Sequence, residues 1–153
     1  MMITVNYERY AEYINPEDPE AISWGLGHNT SLRAEAERWL TENPEVINLT
    51  PHEVGFVLPD GGEVKIAPSG IIARCKAYTV QTGQFIMGIP VTATEMGDIE
   101  DLPDPVPGYV FVVSRVVADK AKKLGRVADI FIPNESIRDS NGVIIGCRSL
   151  GKV

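Results

Sequence analysis

Residues 1–45 show a helical pattern of hydrophobic and polar positions. The apolar side chains of residues 32–42 recur at i, i+4, i+7 and i+8, so they share one face of a helix. They are Leu32, Ala36, Trp39 and Leu40. Residues 29–31 supply candidate N-caps, and residues 43–44 end the helix. A Pro-rich, acidic segment at residues 16–19 predicts a shorter helix over 20–24 that ends at the following glycines. We therefore expect an N-terminal helical extension.

From Val46 the pattern changes to short runs of β-branched and aromatic residues separated by turn signals. The predicted strands are 46–49, 54–58, 63–66, 71–80, 85–91, 109–117, 128–132 and 143–145. Residues 59–62 predict a hairpin turn, 81–84 a further turn, 92–108 a long acidic loop and 118–124 a basic turn or helix. The predicted class is α+β and β-rich: an antiparallel sandwich or barrel-like body (46–153) with a helical extension (1–45).

Composition limits the functional classes. The chain has 153 residues and a net charge of −7, so it is a poor candidate for non-specific DNA binding. Residues 109–153 hold eight Lys/Arg against four Asp/Glu, which is consistent with a small bound anion, a charge-balanced subunit contact or charges that simply face water. The two cysteines predict free thiols in a reducing compartment. Because no apolar run spans a membrane and no signal-peptide pattern is present, we expect a cytoplasmic protein.

Motifs for common enzymes are missing from the sequence. It contains no Walker-type loop, dinucleotide fingerprint, HExxH or nucleophile elbow. His52 beside Glu53 is the one candidate base, and a turn histidine is the simpler interpretation. The acids of residues 92–108 lack the spacing of an EF-hand, which favours a solvated loop. We predict no catalytic residue, no cofactor and no metal.

Arginines are the remaining signal. Arg74 is predicted inside an apolar strand, and Arg126 at the start of another, so each needs a partner for its charge. That partner is either a carboxylate, such as Asp129 or Asp139, or a bound phosphate. Asn134 and Asp139 offer further hydrogen bonds to a ligand. The candidate stacking residues are Tyr78, Phe85, Tyr109, Phe111 and Phe131.

Four strings, in order, resemble a known group of proteins. They are INLTPHEV (47–54), PSGIIARC (68–75), YVFVVSRVV (109–117) and IRDSNGVIIGCRSL (137–150). The group consists of small proteins of phages and mobile elements, and through it the chain resembles the phage anti-Thoeris proteins that act as sponges for cyclic ADP-ribose signals. The resemblance covers about residues 46–150.

The resemblance implies a β-rich homo-oligomer without enzymatic activity. Such a counter-defence protein binds the cyclic ADP-ribose isomer, or a cyclic oligonucleotide, in the host bacterial cytosol, and sequestration stops the defence effector from being triggered. The implied ligand residues are Arg74 and Arg126 on the phosphates and Asp139 as a polar contact. Arg138 and Arg148 are weaker candidates. The resemblance does not place the stacking aromatic, for which Phe85 and Tyr109 are candidates, and Asn134 is a candidate from the residues alone.

Two alternatives come from other functional classes. A phage protein-binding inhibitor or structural module would use the arginines as interface ion pairs and bind no small molecule. A nucleotide-cleaving enzyme would need a base and a nucleophile, for which only His52 and Glu53 are available.

Overall fold

The computed structural model describes residues 3–153 and has the predicted α+β, β-rich class. The chain divides into two compact units. One unit holds the residues before Asn48 together with 103–111, and the other holds 48–102 together with 112–153. Within the described range, no helix is both long and apolar enough to cross a membrane.

Three helices form most of the first unit: α1 (Tyr7–Ile14), α2 (Pro19–His28) and α3 (Thr30–Glu42). The predicted helix over 32–42 is confirmed as α3, and the Asn29 side chain caps it by accepting hydrogen bonds from two backbone N–H groups. The sequence pattern did not predict α1. The predicted end of α2 at Gly25 is wrong, because that glycine lies inside the helix. A Cβ there would lie 2.9 Å from Leu32 Cδ2, so a larger residue at position 25 would require the Leu32 side chain to shift.

Six strands form a nearly closed, barrel-like sheet in the order β1-β6-β7-β8-β2-β3. The strands are β1 (Glu45–Asn48), β2 (Val54–Val57), β3 (Glu63–Ile66), β6 (Tyr109–Val112), β7 (Ile130–Arg138) and β8 (Ile144–Gly151). The β2–β3 and β7–β8 pairs are antiparallel, whereas β2 runs parallel to β8. The sheet is therefore mixed. The predicted purely antiparallel body is wrong in one respect, because β2 and β8 are parallel.

Asn48 joins β1 to the chain that follows β3. It forms an isolated parallel bridge with Pro68, and it is only 1% exposed. Its Nδ2 donates to the carbonyl oxygens of His52 (2.7 Å) and Ile66 (3.1 Å). Its Oδ1 accepts from the Thr50 backbone N–H (2.9 Å) and hydroxyl (2.6 Å). Both N–H donors of this buried amide are thus paired, and its oxygen accepts two hydrogen bonds.

Helix α4 (Arg115–Lys123) covers the core of the second unit. The predicted strand over 109–117 is too long, because β6 ends at Val112 and Ser114 caps α4 by accepting from the Val117 N–H. The predicted basic segment 118–124 is thus the later part of this helix. The buried core of the unit consists of Leu49, Phe56, Ala73, Val112, Val113, Val117, Ala118, Ala121, Ile130, Ile132 and Cys147.

A long hairpin forms a separate two-stranded sheet, with β4 (Arg74–Ile86) antiparallel to β5 (Ile89–Glu100). We refer to residues 74–100 as the arm. Met87 and Gly88 connect its strands with φ angles of 54° and 80°, as a type I′ turn requires. The predicted turn at 81–84 and the predicted loop from residue 92 are therefore wrong. The acids in this segment lie on a solvent-exposed strand, so they do not oppose strand formation.

Candidate functional site

Arg74 is not a buried charge. It is the first residue of β4 rather than an interior one, and its side chain is exposed. It lies opposite Glu100 in the register of the arm, but within residues 3–153 it forms no ion pair. Solvent therefore accounts for its charge, and the physical reason for expecting a buried partner at this position does not hold.

Arg126 lies in the loop between α4 and β7, not at the start of a strand. Its Nε donates to Asp129 Oδ1 (3.1 Å) and its Nη2 to Asp129 Oδ2 (2.9 Å). Both side chains are largely buried, at 20% and 15% exposure. This is a bidentate guanidinium–carboxylate pair, the carboxylate alternative that the sequence left open. A phosphate at Arg126 would have to compete with Asp129.

Arg138 is the last residue of β7, and Asp139 begins the turn that joins β7 to β8. Arg138 Nη1 donates to the carbonyl oxygen of Gly142 (2.7 Å). Asp139 Oδ1 accepts from the backbone N–H groups of Asn141 (2.8 Å) and Val143 (3.0 Å). The structure thus brings these two predicted ligand residues together, and their polar atoms hold the turn.

The other predicted ligand residues are dispersed. Asn134 and Arg148 are exposed on β7 and β8, and Phe85 is exposed near the tip of the arm. Tyr109, half-buried at the start of β6, belongs to the first unit. His52 and Glu53 are exposed in the LTPH turn. The second unit contains a cavity that none of these residues lines.

The cavity has a volume of about 510 Å³ and lies between β5 and α4. Seven residues line it: Thr94, Glu95, Met96, Val116, Asp119, Lys120 and Lys123. Its volume falls within the range of about 300–1,000 Å³ that is typical of small-molecule sites. A smaller cavity of about 150 Å³ lies over β2, β3 and the start of β8.

Two lysines give the larger cavity its cationic side. Lys120 and Lys123 lie three residues apart on α4, so they project from the same side of the helix. In the part of the chain that the structure describes, neither lysine forms an ion pair, whereas the neighbouring Asp119 lies 3.8 Å from Arg115. Lys120 also acts on Cys75: burial raises the pKa of that thiol, and the nearby ammonium opposes the shift.

The remaining lining residues offer two further kinds of contact. The carboxylates of Glu95 and Asp119 are acceptors for hydroxyl donors, and the Thr94 hydroxyl both donates and accepts. Met96 and Val116 provide apolar surface, each 43% exposed. The cavity therefore combines cations, hydroxyl acceptors and an apolar wall, the three contacts that a phosphorylated nucleoside requires.

Sequence reasoning missed this site because it followed the arginines. The signal was present in the basic segment 118–124, which was predicted as a turn or helix, but the sequence did not show that a cavity forms beside its lysines. The β5 side of the cavity lies in the segment predicted as a loop.

Both cysteines are free thiols, as predicted. Among residues 3–153, no three His, Cys, Asp or Glu side chains come together as a metal site. No protein-family model, curated protein or solved structure matches this chain significantly. The resemblance to the sponge proteins therefore stays a prediction.

Proposed function

We propose that this chain is a binding protein that sequesters a small phosphorylated nucleotide, of the cyclic ADP-ribose or cyclic oligonucleotide type, between α4 and β5. The main support is the pair of lysines without carboxylate partners, Lys120 and Lys123, in a cavity of about 510 Å³. An ammonium group without a protein partner is available to a phosphate.

Five of the seven lining residues have a specific place in such a complex. Lys120 and Lys123 bind the phosphates as point charges. Glu95 and Asp119 accept hydrogen bonds from ribose hydroxyls, and Met96 packs against the base. Sequestration then follows from mass action: the protein must be abundant and must bind the messenger more tightly than the defence effector does. In the sponge role, the chain acts in the cytosol of the infected bacterium and releases its ligand unchanged.

In a second version of this proposal, the same nucleotide binds at the predicted arginines instead of the cavity. Arg74 and Arg148 are exposed and have no ion-pair partner in the described chain. Arg126 contributes less in this version, because Asp129 already occupies its guanidinium. The two versions predict different sensitive residues, so mutagenesis separates them.

The test is calorimetric titration of the full chain with cyclic ADP-ribose isomers and cyclic oligonucleotides. We expect Lys120→Ala and Lys123→Ala each to weaken binding about 10- to 100-fold, the usual effect of losing a charged hydrogen bond. Lys122→Ala is the matched control, because Lys122 lies on the same helix but does not line the cavity. Loss of binding in Arg74→Ala, with both cavity variants unaffected, would place the ligand at the arginines instead.

A protein-binding module is the second candidate function. The exposed apolar residues of the arm favour it, with Phe85 66% and Met87 95% exposed. If the chain acts in this way, it binds no nucleotide in the titration, and substitutions in the arm abolish its effect on the host.

A further inference from the structure

A lysine near the end of the chain lies among three backbone carbonyl oxygens. Lys152 follows β8, and its Nζ is 2.5 Å from the Val127 oxygen and 3.1 Å from the Ala128 oxygen. The Ile130 oxygen lies 3.4 Å from the same Nζ, and the centroid of the Phe131 ring lies 3.9 Å from it. We refer to these three oxygens and this ring as the ammonium cage.

The cage matches the hydrogen-bonding capacity of a primary ammonium group. Such a group has three N–H donors and no acceptor. The cage supplies three acceptors, one for each donor, and the ring adds a cation–π contact. Every donor of the ammonium group is therefore satisfied within one short loop and the residue that follows it.

Contacts that do not involve Lys152 hold this loop in shape. The Arg126 backbone N–H donates to the Ala121 oxygen of α4 (2.8 Å). The Arg126 side chain makes the bidentate pair with Asp129, which closes the loop on itself. Phe131 is part of β7. The oxygens are therefore oriented before an ammonium group binds, and we expect the cage to persist when the lysine is replaced.

The composition of the cage selects an ammonium ion over a metal ion. Ca²⁺ and Mg²⁺ are bound through carboxylates and several further oxygens. Asp129 is the one carboxylate in residues 124–131, and Arg126 already holds both of its oxygens. Sites for K⁺ surround the ion with carbonyl oxygens. In the cage an aromatic face takes the place of further oxygens, and this combination suits an N–H donor with a single positive charge.

We infer that the loop between α4 and β7 is a receptor for a primary ammonium group and that Lys152 is its ligand within the same chain. Because Lys152 is tethered, a free amine competes with it poorly. Acylation of Lys152, which is exposed, removes the charge and leaves a single N–H donor, so it would empty the cage and release the end of the chain. The inference is independent of the nucleotide proposal, since no cage residue lines the larger cavity.

The test replaces the tethered ligand with a free one. The natural chain, Lys152→Ala and Lys122→Ala are unfolded in urea with equal concentrations of methylammonium, tetramethylammonium or potassium chloride. In Lys152→Ala, methylammonium should raise the urea midpoint at least about twice as much as either other salt, because it binds the folded state. Lys122 is an exposed lysine that makes no contact with the cage, so Lys122→Ala and the natural chain should respond equally to the three salts. Circular dichroism without urea checks that each variant is folded.

Nuclear magnetic resonance locates the bound ion. Nuclear Overhauser effects should connect the methyl group of methylammonium with the Phe131 ring protons in Lys152→Ala and should be absent in the natural chain. Equal midpoint shifts from methylammonium and tetramethylammonium in Lys152→Ala would overturn the inference. A shift from potassium as large as that from methylammonium would overturn the assignment to an ammonium group. Methylammonium that contacts Phe131 equally in both proteins, or in neither, would overturn the site itself.

Discussion

Replacing Asn48 with alanine should destabilise the contact between the end of β1 and the segment that follows β3. The Asn48 side chain is 1% exposed and makes four hydrogen bonds, two to the carbonyl oxygens of His52 and Ile66 and two from Thr50. Alanine removes all of them and leaves the half-buried Thr50 N–H and Ile66 carbonyl without these partners. The substitution thus acts on a side chain that links the end of β1 to the LTPH turn and to the end of β3.

The magnitude follows from these bonds. A neutral hydrogen bond contributes about 1 kcal/mol, so four contribute about 4 kcal/mol. The Thr50 hydroxyl already lies 3.1 Å from the His52 oxygen and can partly replace the amide there. We therefore expect Asn48→Ala to lower the unfolding free energy by about 3 kcal/mol. For a chain of this size the melting temperature should fall by about 6–12 °C.

Urea unfolding followed by circular dichroism measures the effect. Asn141→Ala is the control, since the Asn141 side chain is exposed in the β7–β8 turn, and it should change stability by less than about 0.5 kcal/mol. Asn48→Asp keeps the acceptor but loses both donor bonds, so it should also be strongly destabilising. If Asn48→Ala lowers the unfolding free energy by less than about 1 kcal/mol, Asn48 does not hold β1 to the segment after β3 in the way described.

Three further outcomes are expected. Lys152→Met should lower the unfolding free energy by about 1 kcal/mol, because the ammonium donates to the carbonyl oxygens of Val127 and Ala128; equal urea midpoints would contradict this. Asp139→Ala should lower the unfolding free energy by about 1 kcal/mol, because it removes the acceptor of two backbone N–H groups in the turn. Asp139→Asn keeps an acceptor oxygen and should retain most of the stability. Similar losses in both variants would contradict this role of Asp139 in the turn. Burial raises the pKa of the Cys75 thiol above 9.0, so its contribution to stability is full below that pH and declines as pH rises through the folded pKa. Unfolding free energies measured from pH 7.5 to 10.5 should therefore fall more steeply in the natural chain than in Cys75→Ala, and parallel curves would be the opposing result.

The fold was predictable where burial leaves a pattern in the sequence. The apolar face and the Asn29 cap of α3 are both visible in residues 29–42. The arm was not predictable in this way, since its strands are exposed on both faces and show no alternation between apolar and polar residues. Its acids at residues 95–100 are typical of a loop, yet an exposed strand accommodates them equally well.

The candidate site was less predictable than the fold. Sequence alone shows where an arginine lies but not whether a carboxylate already holds it, as Asp129 holds Arg126. The lysine pair lies in the basic segment predicted as a turn or helix, but its sequence does not show that both ammonium groups lack carboxylate partners. The cavity itself requires α4 and β5 to come together, which no local pattern encodes.

Ligand retention tests the central claim most directly. The purified protein is mixed with cyclic ADP-ribose isomers and cyclic oligonucleotides, free nucleotide is removed by filtration, and the retained protein is heated and its released nucleotide identified. We predict that the natural chain releases one intact messenger and that the Lys120→Ala/Lys123→Ala double variant releases none. A messenger left wholly in the filtrate, or converted into a new product, would contradict sequestration.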